Sequence, residues 1–183
     1  MRGFSHRFLV FCALLGLSGR TLPAQPETSK EKEVKAAFLF NFAQFVEWPG
    51  AAFSDAHAPL IIGLLGDDPF GGTLDATVQG ETVNGRPLLV QRYRRVEEIK
   101  TCHILFISDS EKARLPRIFA TLKGRPILTA GDSEGFARSG GMIRFITEKR
   151  VRFRINREAA AAAGLTISSK MLRAAEILRP EGA

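Results

Sequence analysis

Residues 59–72 read Pro59-Leu60-Ile61-Ile62-Gly63-Leu64-Leu65-Gly66-Asp67-Asp68-Pro69-Phe70-Gly71-Gly72. The first seven are an unbroken apolar run of buried-strand length. The next seven, rich in Gly, Asp and Pro, form a loop that opens a short helix from about Leu74. The same strand–loop–helix phrase recurs downstream. Gly85-Arg86-Pro87 precedes a strand at 88–91, and 96–100 is a polar connector of about one helical turn. A strand at 104–107 ends at Ser108-Asp109-Ser110, Ser110 caps a helix over 111–122, and Gly124 follows its end. A fourth strand at 126–129 ends at Ala130-Gly131-Asp132. Repetition of this kind predicts an α/β fold with parallel strands, its functional loops at their carboxyl ends.

Both ends of the chain add to this frame. Upstream, Thr28 and Glu31 have capping-box spacing, which predicts a helix from Ser29 or Lys30 that Pro49 stops. Val34, Phe38, Phe42 and Phe45 form one stripe on it, and Leu39, Phe40 and Ala43 widen the apolar surface beyond what one sheet face can cover. Downstream, residues 142–147 and 151–156 flank Glu148-Lys149-Arg150 and read as a β-hairpin. In it Val151, Phe153 and Ile155 alternate with Arg152 and Arg154, giving one core face and one basic face. Asn156 caps a helix over 159–163 that stops at Gly164. A last helix from Ser168 or Ser169 carries Met171, Leu172, Ala175 and Leu178 inward. The expected fold is a single α/β domain: a mostly parallel sheet flanked by helices, with a C-terminal β-hairpin and helices.

Composition bounds the function. The chain has 183 residues, 45% hydrophobic and 25% charged, enough for one domain with a core of its own. Its +7 net charge includes Arg2, Arg7 and Arg20 in the first 24 residues, where no acid stands; the remainder carries +4. With one Trp, one Tyr and no basic block interleaved with aromatics, nucleic acid is not the expected partner. Arg2 and Arg7 followed by Phe-Leu-Val-Phe-Cys-Ala-Leu-Leu-Gly-Leu at 8–17 read as a signal peptide, too short to span a bilayer, with cleavage placed after Ala24. The layout is therefore 1–24 signal peptide, 25–32 flexible N-terminus and 33–179 α/β domain, exported and not membrane-spanning after cleavage. Cys102 is then the one cysteine left, which excludes an internal disulfide, and its apolar setting reads as a buried strand cysteine.

Catalysis needs a constellation, and the candidates are sparse. His57 lies in a loop. His103 neighbours Cys102 on a strand, so the two point to opposite faces and cannot act as nucleophile and base. No His/Cys cluster has metal-ligand spacing, and residues 66–72 match neither GxGxxG nor a P-loop. Asp67 and Asp68 fit a cation or base role or, more simply, a solvated turn. Ser108, Asp132 and Gly135, in the other carboxyl-end loops, complete a candidate small-ligand site, with Phe136 folding back onto the core. On the first helix Leu39, Phe40, Asn41, Ala43 and Trp48 are the candidate interface. For Asn41 the alternatives are a hydrogen bond inside the monomer or a contact with a partner; for Trp48, a core position or an interface anchor.

Several segments taken together resemble one family. They are Val34-Lys35-Ala36-Ala37-Phe38-Leu39-Phe40-Asn41-Phe42-Ala43 with Phe45-Val46-Glu47-Trp48-Pro49, then Ile62-Gly63-Leu64-Leu65-Gly66-Asp67-Asp68-Pro69-Phe70, then Cys102-His103-Ile104-Leu105-Phe106-Ile107-Ser108. Leu128-Thr129-Ala130-Gly131-Asp132 follows, with Gly135-Phe136-Ala137, Gly140-Gly141-Met142-Ile143 and Phe145. Last come Val151-Arg152-Phe153-Arg154-Ile155-Asn156, Ala159-Ala160, Ala163-Gly164-Leu165 and Ile167-Ser168-Ser169-Lys170-Met171-Leu172. In this order, from about residue 33 to 178, they resemble the YfiR family of exported bacterial proteins. The resemblance implies a periplasmic, often dimeric α/β protein without enzymatic activity or cofactor. It further implies a regulator that binds the periplasmic sensor region of a membrane diguanylate cyclase and holds it inactive, limiting cyclic-di-GMP and biofilm formation. The best understood members use cysteine pairs as disulfides; this sequence departs from that pattern.

Overall fold

The computed structural model describes residues 28–177. The expected signal peptide, and Leu178 of the expected last helix, lie outside the described residues. The chain opens with helix α1 (Ser29–Phe45), whose N-terminus is satisfied by Thr28: its hydroxyl accepts from the Glu31 amide. The helix start expected at Ser29 or Lys30 is thus observed, and residues 29–32, grouped with the N-terminal segment in the expected layout, form its first turn. The helix also ends before Pro49. Val46 and Glu47 turn extended as β1 (Val46–Glu47) and pair with a later strand, so strand pairing ends the helix before the proline is reached.

The sheet begins with β2 (Leu60–Leu65), buried along its whole length, and continues through α2 (Gly72–Val78), β3 (Thr82–Val83) and β4 (Arg86–Tyr93). β3 and β4 form a small antiparallel hairpin that the sequence reading overlooked. Its signal was present: Asn84 and Gly85 both have positive φ, the requirement of a two-residue hairpin turn. β5 (Ile104–Ile107) leads into a 3₁₀ segment, Asp109–Arg114, and only then into α3 (Leu115–Leu122). Its cap is Ser108, not Ser110, and Pro116 sits in the first turn of α3, where its missing N–H is harmless. Then follow β6 (Leu128–Gly131), β7 (Ile143–Thr147), β8 (Val151–Ile155), α4 (Arg157–Ala162), β9 (Thr166–Ile167), α5 (Ser169–Ala174) and β10 (Glu176–Ile177). The last helix is shorter than expected, because at Ala175 the chain turns extended and β10 joins the sheet beside β8.

The strand order is β10-β8-β7-β6-β5-β2-β4-β3, with β1 and β9 forming a separate two-stranded ladder. The five strands β4, β2, β5, β6 and β7 are mutually parallel, while β8 returns antiparallel to β7 as the hairpin. This bears out the mixed, mostly parallel α/β sheet. Strand order reverses at β2, so the topological crevice of a doubly wound sheet falls between the carboxyl ends of β2 and β5. Side chains alternate between two cores. Leu60, Ile62, Leu64, Ile104, Phe106, Phe145 and Phe153 meet α1, α2 and α5 on one face, and Leu105, Ile107 and Ile127 meet α3 on the other.

The buried side of α1 overlaps the predicted stripe at Phe42 but is centred beside it. Ala36, Leu39, Phe42 and Ala43 face the sheet, whereas Val34, Phe38 and Phe45 are half-buried at the margin. Two alanines on the contact line let the helix axis approach closely, and Lys35 is drawn inward by counter-charges, which together rotate the helix off its phenylalanine stripe. Phe42 fits against Phe145 (5.9 Å between ring centroids) and Phe153 (5.2 Å, edge to face).

Candidate functional site

The two loops that flank the crevice at the switch point are bonded to each other. Gly66 (φ +88°) brings the chain so close to the next loop that a Cβ there would lie 2.5 Å from Ser110 Oγ. The Asp67 amide donates to that same Ser110 Oγ (3.0 Å). Asp68 is occupied twice over: Oδ1 accepts from the amides of Phe70 (2.7 Å) and Gly71 (3.0 Å), and Oδ2 accepts from Arg92 Nε (2.8 Å). Arg92 also binds Asp75 and holds its carboxyl below the usual range through that hydrogen bond. Ser108 is occupied as the cap of the 3₁₀ segment. Of the candidate ligand residues Asp67, Asp68, Ser108, Asp132 and Gly135, the first three therefore share one self-bonded loop pair.

Asp132 belongs to a different arrangement, which the sequence reading missed. Lys35 Nζ sits 2.8 Å from Asp132 Oδ2 and 3.1 Å from Glu31 Oε1, and Thr147 Oγ1 donates to that Glu31 oxygen at 2.6 Å. The Lys35 side chain is 2% exposed, against 24% for Asp132 and 16% for Glu31. A buried ammonium persists only with counter-charges this close. The network fastens the start of α1 to the loop after β6 and to the end of β7. Its sequence signal was the Glu31–Lys35 spacing on one helix face, which marks a pair but not a third partner from residue 132. Gly135 has positive φ and shapes the turn before Phe136. The Phe136 ring fills the space beside Gly131 and Gly141, where a Cβ on either residue would collide with it, so the expected fold-back onto the core is observed.

At the opposite, amino end of the strands, His103 is a buried structural residue. Its Nδ1 accepts from the Ile61 amide (3.0 Å), and Nε2 stands 3.1 Å from the Ala52 carbonyl oxygen, so the neutral ring with hydrogen on Nε2 satisfies both. Phe53 stacks on it at 4.3 Å. Burial keeps its pKa below 6.5, and the charge of Arg86 adds to that depression. Trp48 is half-buried, and its Nε1–H donates to the His103 carbonyl (3.2 Å), which makes it a clasp between the end of α1 and β5. Cys102 is buried on the α3 side of the sheet. Burial pushes its thiol up to about 12, so it is neither nucleophile nor thiolate ligand at neutral pH. Among the described residues no group of three or more His, Cys, Asp or Glu could hold a metal ion.

The candidate interface on α1 divides. Leu39 and Ala43 are fully buried, so a partner cannot touch them; this corrects the expectation that they lie on the outward surface, and the cause is the helix rotation described above. Phe40 and Asn41 are half-buried, reachable from outside. At that depth the Asn41 amide escapes the penalty of a fully buried unpaired group.

These features define a doubly wound α/β domain whose loops are occupied with one another and whose half-buried helix residues reach the surface. The family profile that fits it is the YfiR/HmsC-like one, which matches residues 32–176, and the chain belongs to that family. The family is a regulatory, non-catalytic and periplasmic one. No curated protein is significantly similar in sequence. Among the described residues no helix is long and apolar enough to cross a membrane.

Proposed function

We propose that this protein is an exported regulator, freed of residues 1–24 as a signal peptide, that binds the periplasmic sensor region of a membrane diguanylate cyclase and holds the enzyme inactive. The observation that carries the reading is the family match across 32–176, which takes in nearly the whole described domain. The loops at the carboxyl ends agree with it in part: Asp68 is committed to the Phe70 and Gly71 amides and to Arg92, although the Asp67 side chain stays exposed. The small-ligand alternative gains no observation of its own.

The contact assigned to α1 is Phe40 with Asn41, flanked by the Trp48 clasp, and it serves a second copy of the chain or the sensor region. Phe40→Glu places a carboxylate where a partner would desolvate it. The expected result is a folded protein that loses dimerisation or capture of the cyclase and that, in cells, raises cyclic-di-GMP and surface attachment as deletion of the whole chain does. Light scattering on the purified variant, run beside nucleotide measurement in cells, tests it. A folded Phe40→Glu protein with unchanged assembly and unchanged cyclic-di-GMP would remove α1 from the mechanism.

A further inference from the structure

The hairpin β7–β8 presents two unlike faces. Ile143, Phe145, Phe153 and Ile155 are buried against α1, and by strand alternation Arg144, Ile146, Arg152 and Arg154 occupy the other face. The register sets Arg144 directly opposite Arg154 and Ile146 directly opposite Arg152. That face contributes no residue to the core beneath α3. All four side chains are half-buried, lying along the sheet with only part of their surface in water.

Like charges set opposite one another weaken a strand pair, and here Arg144 faces Arg154, which has Glu176 of β10 in register on its other side. Arg152 has a counter-ion in Glu148 Oε2 at 2.6 Å, and Arg154 is engaged as well. Arg144 is different: its Nε is shielded from solvent and has no hydrogen-bond partner. With no acceptor inside the domain for its Nε, the half-buried Arg144 side chain loses no internal hydrogen bond there when its guanidinium turns toward a carboxylate offered by a partner. All three cations on this face are arginine and none is lysine, which favours planar carboxylates over a diffuse lipid headgroup layer. Ile146 among them gives the patch the apolar centre and arginine surround of a protein contact.

We infer that the arginine face of the β7–β8 hairpin is a docking surface for an acidic segment of a protein partner, with Arg144 as the residue that receives a carboxylate. It rests on the regulatory reading only in naming that partner as the regulated sensor; the charge argument stands without it.

The test uses the full exported chain and poly-L-glutamate as probe, with inorganic phosphate and anionic lipid vesicles as the other arms. The double variant Arg144→Gln with Arg154→Gln removes the facing charges and keeps the stems. It should stay folded through the assay temperature, yet bind polyglutamate about tenfold more weakly or worse. Arg94→Gln, remote from the hairpin on an exposed turn, changes charge alone and should leave binding within about twofold. Equal loss in the Arg94 control, retained binding in the double variant, or preference for vesicles or phosphate over polyglutamate would each overturn the assignment. In cells, cyclic-di-GMP that responds to deletion of the chain but not to the double variant would overturn the naming of the regulated sensor as that partner. If cyclic-di-GMP responds to neither while polyglutamate binding is lost, the regulatory reading fails and the acidic-partner face is upheld.

Discussion

Replacing Asp132 with Ala should destabilise the domain more than replacing Lys35 with Met, although both remove one end of the same ion pair. The reason is which end is buried. Lys35 is 2% exposed, so losing Asp132 leaves an ammonium in the interior short of one of its counter-charges, with Glu31 still beside it. Removing one partner of a buried pair costs ~3–5 kcal/mol. Because Glu31 stays at 3.1 Å, the lower end applies, about 3 kcal/mol for Asp132→Ala. Lys35→Met removes the buried charge and fills its volume with an apolar stem. Asp132 and Glu31, at 24% and 16% exposure, can then take up water. The cost should fall below about 1.5 kcal/mol. For a domain of this size each kcal/mol moves Tm by roughly 2–4 °C, so thermal unfolding should separate the variants by several degrees. The double variant should match Lys35→Met, since without the cation the loss of Asp132 matters little. If Lys35→Met proves as costly as Asp132→Ala, the buried cation is not what the carboxylates compensate, and the reasoning is wrong.

Three further outcomes follow from other contacts. Phe153→Ala should cost ~3–5 kcal/mol in chemical denaturation, because its ring is wedged against Phe38 (5.0 Å) and Phe42 (5.2 Å), while Arg152→Ala should cost under about 1 kcal/mol as a half-exposed ion pair. Neutral His103 is the form that fits both of its hydrogen bonds, and its folded pKa lies below 6.5. The folded state therefore binds fewer protons, and stability that is complete above about pH 6.5 should decline as pH falls from there toward the depressed pKa. Tm measured from about pH 7.5 to about pH 5 should show this slope in wild type and lose it in His103→Gln; equal slopes would exclude the ring as its source. Cys102, with its thiol pushed up to about 12, should resist an aromatic disulfide reagent in the native protein at mildly alkaline pH and react fully in denaturant.

The parallel framework was legible because its signals are local. Residues 60–65 and 104–107 are short apolar runs bounded by Gly, Asp and Ser, and both became buried central strands. Caps at Thr28, Asn156 and Ser168 were legible for the same reason, since each is satisfied within three residues. Long-range facts escaped. The rotation of α1 depends on Asp132, about a hundred residues away, and nothing near Lys35 announces that a carboxylate will come to it. The early end of α1 depends on β9, 121 residues later, offering Ile167 as a partner for Val46. On the site itself, residue identity showed which groups were polar but not whether they were spoken for. Asp68 read equally as a ligand and as a turn until its three hydrogen bonds were seen.

The position of α1 bears on how a partner would meet it. The helix is fastened at its start by the Lys35 network, at its end by the Val46 pairing and the Trp48 hydrogen bond, and along its middle by Leu39 and Phe42 in the core. A helix held at both ends and along one side cannot rotate to bury Phe40, so Phe40 and Asn41 form a fixed feature that pays little ordering entropy on contact. The arginine face of the hairpin is backed by the same phenylalanines, because Phe145 and Phe153 lie on the opposite side of the strands that carry Arg144 and Arg154. The two surfaces thus share one rigid aromatic core. A truncation at Phe42 should therefore loosen both together, whereas Phe40→Glu and Arg144→Gln should act separately. Weakening of both contacts by Phe42→Ala, set against additive effects of the two surface variants in a double-mutant cycle, would show that the core couples them only by holding them in place.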